Sequence, residues 1–191
     1  SKIICADGGA NSIRKLNIIP DYIIGDLDSI SKTNLNYFKM KSKIVHYKRQ
    51  NDTDVEKSLK FLIKKNYDEV VLLGSTGDRL DHTICNLGIV IKYFNKIKIS
   101  ILHGNSYLRA YNKDVELKTI LGEIISIYGF DNKTKIKSNS LKYQLNNVSL
   151  PFGKEESTSN VATKNKVKLK IKGGIIFIIR DYKTMRDNDF I

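Results

Sequence analysis

Tryptophan is missing from this sequence, and cysteine and proline occur only twice each in 191 residues. Cys5 and Cys85 lie far apart in unrelated contexts, which excludes a disulfide framework or a zinc site with paired ligands and fits a reducing, cytoplasmic setting. Two prolines and 12 glycines exclude collagen-like and low-complexity chains. No apolar run reaches the roughly 20 residues of a membrane helix. The chain opens SKIICADGGA without a Met, and no basic segment there leads into an apolar stretch, so nothing in it reads as a secretion signal. What is present is 41% hydrophobic and 28% charged residues, enough for a packed core in one large domain or two modest ones. The net charge is +13. It comes mostly from Lys, with only 6 Arg, and the lysines are spread along the chain without interleaved aromatics, which argues against a dedicated nucleic-acid surface.

The pattern divides near residue 113. Before it, apolar strands at 2–6, 22–24, 43–47 and 69–73 alternate with helical periods at 10–16, 52–65 and 83–94, the second with Val55, Leu59, Leu62 and Ile63 on one face and Asp52 or Thr53 as its cap. The third carries Ile84, Leu87, Ile91 and Phe94 at helical spacing. This alternation predicts an α/β fold, with a mostly parallel sheet covered by helices and ligands at the carboxyl ends of its strands. From 114 to 191 the period becomes two, with no helix evident, and an antiparallel β-sandwich is predicted.

Three acidic clusters fall at strand ends: Asp7 in ADGGAN, Asp26 and Asp28 in GDLDS, and Asp52 and Asp54 in QNDTD. Two carboxylates about 4 Å apart repel by roughly 4 kcal/mol at an effective dielectric of 20, so a converging set calls for a cation. Mg²⁺ takes carboxylate oxygens and bridges substrate phosphates, and no Cys or His cluster competes for a softer metal. Asp also serves as an ordinary turn former and cap. Asp26 and Asp28 stand apart from that role, because alternate residues of extended chain point the same way. The segment GSTGDRLDH forms a second feature, in which Gly74 and Gly77 allow backbone N–H groups to approach phosphate and Arg79 can clamp it. Neither a Walker A loop nor a GxGxxG fingerprint is present. These residues alone reach a Mg²⁺- and nucleotide-phosphate-dependent protein. A phosphohydrolase and a nucleotide- or nucleic-acid-binding module without turnover remain open.

The blocks ADGGAN, PDYIIGDLDS, QNDTD, GSTGDRLDHTICNL, SLKYQLNN and STSN occur in an order that resembles the bacterial thiamine pyrophosphokinases over almost the whole chain. The resemblance implies transfer of the diphosphate of ATP to the hydroxyl of thiamine, giving thiamine diphosphate and AMP. It also implies an α/β catalytic domain (1–113), a β-sandwich for thiamine binding and dimerisation (114–191), and a homodimer with active sites between subunits. Carried over by motif, Asp26, Asp28 and Asp54 would hold Mg²⁺ and act in catalysis. Asp7, Gly8, Gly9, Asn11, Ser75, Thr76, Gly77, Arg79, Asp81, His82 and Asn86 would serve the nucleotide. Gln50, Tyr143, Ser159 and Asn160 would contact thiamine. The general base stays open between Asp28 and Asp54. The family pattern also has a strand and helix ahead of the ADGG block, whereas this sequence begins six residues before Asp7. It has Gly where Asp78 and Ser140 stand, and Pro in place of Gln144.

Overall fold

The computed structural model describes residues 1–48, 51–77 and 79–191, which form two compact units, Ser1–Asp68 and Glu69–Ile191. Among the described residues, no helix is long and apolar enough to cross a membrane.

In the first unit, β1 (Ile4–Ala6), β2 (Tyr22–Gly25) and β3 (Lys43–His46) form a parallel sheet in that order. They are joined by α1 (Gly9–Lys15) and α2 (Lys32–Phe38) and followed by α3 (Asp54–Lys64). Side chains of β1, β2, α1 and α2 meet in a core of Cys5, Ala10, Ile23, Ile30 and Phe38. Burial pushes the Cys5 thiol up to about 11, which leaves it protonated and unreactive at neutral pH. Helix α3 packs on β1 and β2 through a face that includes Leu59 and Leu62, as their spacing predicts. Thr53 is its cap, with Oγ1 accepting from the Glu56 N–H at 3.3 Å. Helix α2, with Leu35 and Phe38 three apart, was not predicted from the sequence. Its start is marked by Ser31, whose Oγ accepts from the Asn34 N–H.

The second unit begins with β4 (Glu69–Leu73) and α4 (Leu80–Lys92) and continues as strands β5 (Lys98–His103), β6 (Ser106–Tyr111), β7 (Val115–Lys118), β8 (Ile124–Tyr128), β9 (Lys135–Asn139), β10 (Ser157–Val161), β11 (Lys166–Lys172) and β12 (Ile176–Asp181), closing with α5 (Tyr182–Asp187). A six-stranded sheet runs β10-β8-β12-β6-β5-β4, parallel only between β4 and β5, and a three-stranded antiparallel sheet runs β7-β11-β9. Ile125, Ile127, Ile176 and Ile178 of the first and Leu117, Ile136, Val167, Leu169 and Ile171 of the second fill one core, which makes the predicted sandwich. Two expectations are corrected. Helix α5 stands where none was evident, since six residues are too few to register a period, and Asp181 caps it by accepting from the Thr184 N–H at 2.6 Å. On α4 the buried side chains are Asn86, Ile89 and Val90, followed by Tyr93, while Ile84 is 62% exposed.

Strand period gathers lysines that look scattered in the sequence. Lys118, Lys135, Lys137, Lys166, Lys168, Lys170 and Lys172 all lie on the exposed side of the three-stranded sheet, with Lys166 opposite Lys118, Lys170 opposite Lys137 and Lys172 opposite Lys135. Glu116 offsets part of this charge by pairing with Lys166 and Lys168. No aromatic side chain on these three strands interleaves them. Like charges placed opposite one another destabilise a sheet, and salt screens them. Raising NaCl from about 0.05 to about 0.5 M is therefore expected to raise Tm by about 2–4 °C, measured by circular dichroism; a fall in Tm would contradict this.

Candidate functional site

The first unit converges its acidic clusters where β1 and β2 end. Asp7, directly after β1, has φ +36 and is 1% exposed. Its Oδ2 accepts from the Ser29 N–H at 3.1 Å and its Oδ1 from the Ile30 N–H at 3.0 Å, so its carboxylate fastens the segment that follows the DLD motif. Asn11 reinforces this segment, donating to Ser29 O and accepting from Ser31 N–H. Gly8 and Gly9 open α1, and Gly8 lies against Ser29.

Carboxylate oxygens of Asp7, Asp26 and Asp54 lie within 4.8 Å of one another. Asp54 reaches this point from the first turn of α3. Gly25 makes the convergence sterically feasible, because a Cβ there would lie 2.7 Å from Asp7 Cβ and 2.9 Å from Asp54 Oδ1. The extended-chain argument for the DLD motif does not hold, since β2 ends at Gly25 and Leu27 adopts φ +67. Asp28 is exposed and accepts from the Ser29 hydroxyl, yet its carboxyl is close enough to influence the titration of both Asp7 and Asp26.

Sequence reasoning missed Lys57. Its Nζ donates to Asp26 Oδ2 at 2.7 Å and Asp54 Oδ1 at 2.8 Å, and its side chain is 4% exposed. A lysine on a helix usually faces water. The available signal was its position on the α3 stripe shared by Asp54, Ser58 and Phe61, at intervals of three and four. Its hydrogen bond holds Asp26 below the usual carboxylate range against the opposing effect of burial. Burial works to lower the Lys57 pKa, but the two carboxylates outweigh it and raise the value. For Asp7 the balance is reversed: burial raises its pKa, and the two backbone N–H groups offset this only partly. Among the described residues, Asp26 Oδ1 is buried with no hydrogen-bond partner. An oxygen-only donor set with an unpartnered carboxylate oxygen fits a hard divalent cation. Gln50 lies outside the described residues, as does Asp78.

In the second unit, the β4–α4 loop is held by Asn86, which is buried and donates to Ser75 O at 2.6 Å. Gly74 has φ +62, which glycine adopts freely. Among the described residues the Ser75 and Thr76 hydroxyls are buried without partners. The Gly77 N–H donates to Thr83 Oγ1 at 3.4 Å. Arg79 pairs with Asp81 through both Nε and NH2, at 3.2 and 2.5 Å, and this pairing raises the guanidinium pKa and lowers that of the carboxyl. Both side chains remain exposed, as does His82.

Elsewhere in this unit, Asn160 is 1% exposed and clamps the backbone of Tyr143, accepting from its N–H at 3.0 Å and donating to its carbonyl at 2.7 Å. The Tyr143 side chain is consequently presented outward, 62% exposed. Ser159 sits at an irregularity in the β10–β8 pairing with φ +54, its N–H donating to Ser126 Oγ. Ser140 has φ +60, a backbone conformation that glycine adopts most freely.

Comparison with known proteins bears on these arrangements. A family model described as "Thiamin pyrophosphokinase, catalytic domain" matches residues 1–101, and one described as "Thiamin pyrophosphokinase, vitamin B1 binding domain" matches 112–176. The chain belongs to the thiamin pyrophosphokinase family. Thiamin pyrophosphokinase 1 of Caenorhabditis elegans is 32% identical over 193 residues, covering 92% of this chain and 77% of that protein. Thiamine pyrophosphokinase of Bacillus subtilis is 25% identical over 183 residues, covering 93% and 86%. The crystal structure of the Bacillus subtilis protein superposes with a TM-score of 0.80 at 23% identity, over 93% of this chain and 86% of that one. Thiamin pyrophosphokinase from Candida albicans gives 0.83 at 21%, over 95% and 81%. These structural likenesses establish the fold.

The close approach at Gly25 gives a direct test. Gly25→Ala is expected to destabilise the protein by about 1–3 kcal/mol through overpacking, and Asp7→Asn by a similar amount through a mismatched buried amide, both read from urea midpoints. Midpoints equal to wild type for both would contradict the packing described.

Proposed function

We infer that this chain transfers the diphosphate group of ATP to the hydroxyl of thiamine, giving thiamine diphosphate and AMP. The observation that carries this reading is the match to both family domains, together with the convergence of Asp7, Asp26 and Asp54 around an unpartnered carboxylate oxygen. In the reaction the thiamine hydroxyl oxygen forms a bond to the β-phosphorus of ATP. The bond from that phosphorus to the α,β-bridging oxygen breaks, AMP leaves, and the hydroxyl proton is released.

Asp26, Asp28 and Asp54 are the residues that would hold Mg²⁺, which when bound supplies positive charge against the polyphosphate. Asp7 fixes the segment carrying Asp28. The loop Ser75, Thr76, Gly77 and Arg79, with Asp81 orienting Arg79 and Asn86 anchoring the loop, serves the nucleotide, as do Gly8, Gly9, Asn11 and His82. Its hydroxyls, without partners among the described residues, and its permanently charged guanidinium suit polyphosphate oxygens. Tyr143 offers an exposed ring for stacking on thiamine, with Ser159 and Asn160 beside it in this role and Gln50 as a further contact. Such sites demand alignment and electrostatics rather than a protein nucleophile.

The working form is a cytoplasmic homodimer, with the catalytic part ending near residue 113 and the thiamine-binding part following it. The free state of Cys5 and Cys85 supports a reducing compartment.

Asp26→Asn and Asp54→Asn are expected to lower thiamine diphosphate formation by at least about 10²-fold while circular dichroism stays that of folded protein. Tyr143→Ala is expected to raise KM for thiamine by about tenfold, the loss of one stacking contact. Near-normal turnover in both Asp variants would overturn the metal assignment.

A further inference from the structure

We propose that Lys57 is a resident counter-ion that keeps the carboxylate cluster's affinity for a free divalent cation low, so that the cation is retained when it arrives with the polyphosphate. This rests on the metal assignment made above and concerns a residue that assignment does not use. The ammonium occupies Asp26 Oδ2 and Asp54 Oδ1, two carboxylates of the cluster, at 2.7 and 2.8 Å. Both oxygens of Asp7 accept backbone N–H groups. Asp26 Oδ1 is thus the one buried side-chain oxygen of these three aspartates found without a partner among the described residues.

A cation entering from water meets one free buried oxygen and, next to it, a positive charge on the carboxylates it would need for fuller coordination. Three carboxylates and one ammonium carry a formal charge of about −2, so the cluster is already partly neutralised before any metal binds. The aspartates crowd the end of β2, where a Cβ added at Gly25 would lie 2.7 Å from Asp7 Cβ and 2.9 Å from Asp54 Oδ1. Lys57 supplies charge compensation there from a side chain that is itself 4% exposed. Mg²⁺ generally binds through one or two carboxylates completed by water and substrate phosphates, and a cluster tuned in this way favours that mode over a tightly held bare ion.

The test is titration of the full chain with Mn²⁺, following free Mn²⁺ by electron paramagnetic resonance, with and without an ATP analogue carrying a methylene group between the α- and β-phosphorus. Lys57→Met is expected to bind Mn²⁺ about tenfold more tightly than wild type in the absence of nucleotide. Lys57→Arg, which keeps the charge, stays within about threefold of wild type, and the analogue enhances Mn²⁺ retention more in wild type than in Lys57→Met. A merely structural lysine would change Tm without changing the affinity of the folded protein. Where circular dichroism shows Lys57→Met unfolded, Lys57→Gln carries the same expectation. Unchanged or weaker Mn²⁺ binding in the charge-removing variant, beside measurable binding by wild type, overturns this inference alone. No Mn²⁺ binding by wild type even with the analogue overturns the metal assignment and this inference with it.

Discussion

The repulsion among Asp7, Asp26 and Asp54 is the constraint on which the first unit is organised. Carboxylates this close are stable only if something compensates them, and the local structure supplies compensation in three forms. Backbone N–H groups of Ser29 and Ile30 take the oxygens of Asp7, the Lys57 ammonium bridges Asp26 and Asp54, and the missing side chain at Gly25 gives the three the space to meet. Parallel strands bring Asp7 and Asp26 to the same end of the sheet, because β1 and β2 are paired in register from Ile4 with Tyr22 to Ala6 with Ile24. The helix cap at Thr53 fixes the first turn of α3, and with it the place of Asp54.

The second unit follows a different principle, in which backbone clamps present polar or aromatic side chains. Asn86 ties down the loop whose hydroxyls are left free, and Asn160 ties down the backbone beneath Tyr143. In both cases a buried amide satisfies main-chain groups of an irregular segment, so that a loop holds one conformation without a strand ladder. Both asparagines are themselves buried and hold these segments from beneath.

How much of this was legible in the sequence depends on whether a pattern was long enough or chemical enough to register. Most strands, the sandwich and the Asp-bearing motifs were legible because period two and short acidic motifs survive in a single sequence, whereas β5, β6 and β10 were not assigned. Helix α5 was not legible, because six residues supply less than two full turns, and α2 was also missed although it is as long as α1. The buried face of α4 was misassigned because apolar spacing favoured Ile84, whereas the fold buries Asn86 to hold a carbonyl. The DLD motif was identified for the wrong geometric reason, since a left-handed residue at Leu27 interrupts the extended chain. Lys57 was invisible as a site residue because one of its two partners, Asp26, comes from a different motif 31 positions away, and only the packing of α3 on the sheet brings the two together.

Thiamine as the acceptor of the diphosphate group is what separates this chain from a phosphohydrolase. The most direct measurement incubates the protein with ATP and Mg²⁺, with and without thiamine, and quantifies AMP and thiamine diphosphate in the same tube. AMP is expected only when thiamine is present, with one thiamine diphosphate formed for each AMP. Release of phosphate or AMP at the same rate without thiamine would contradict it and identify water as the acceptor.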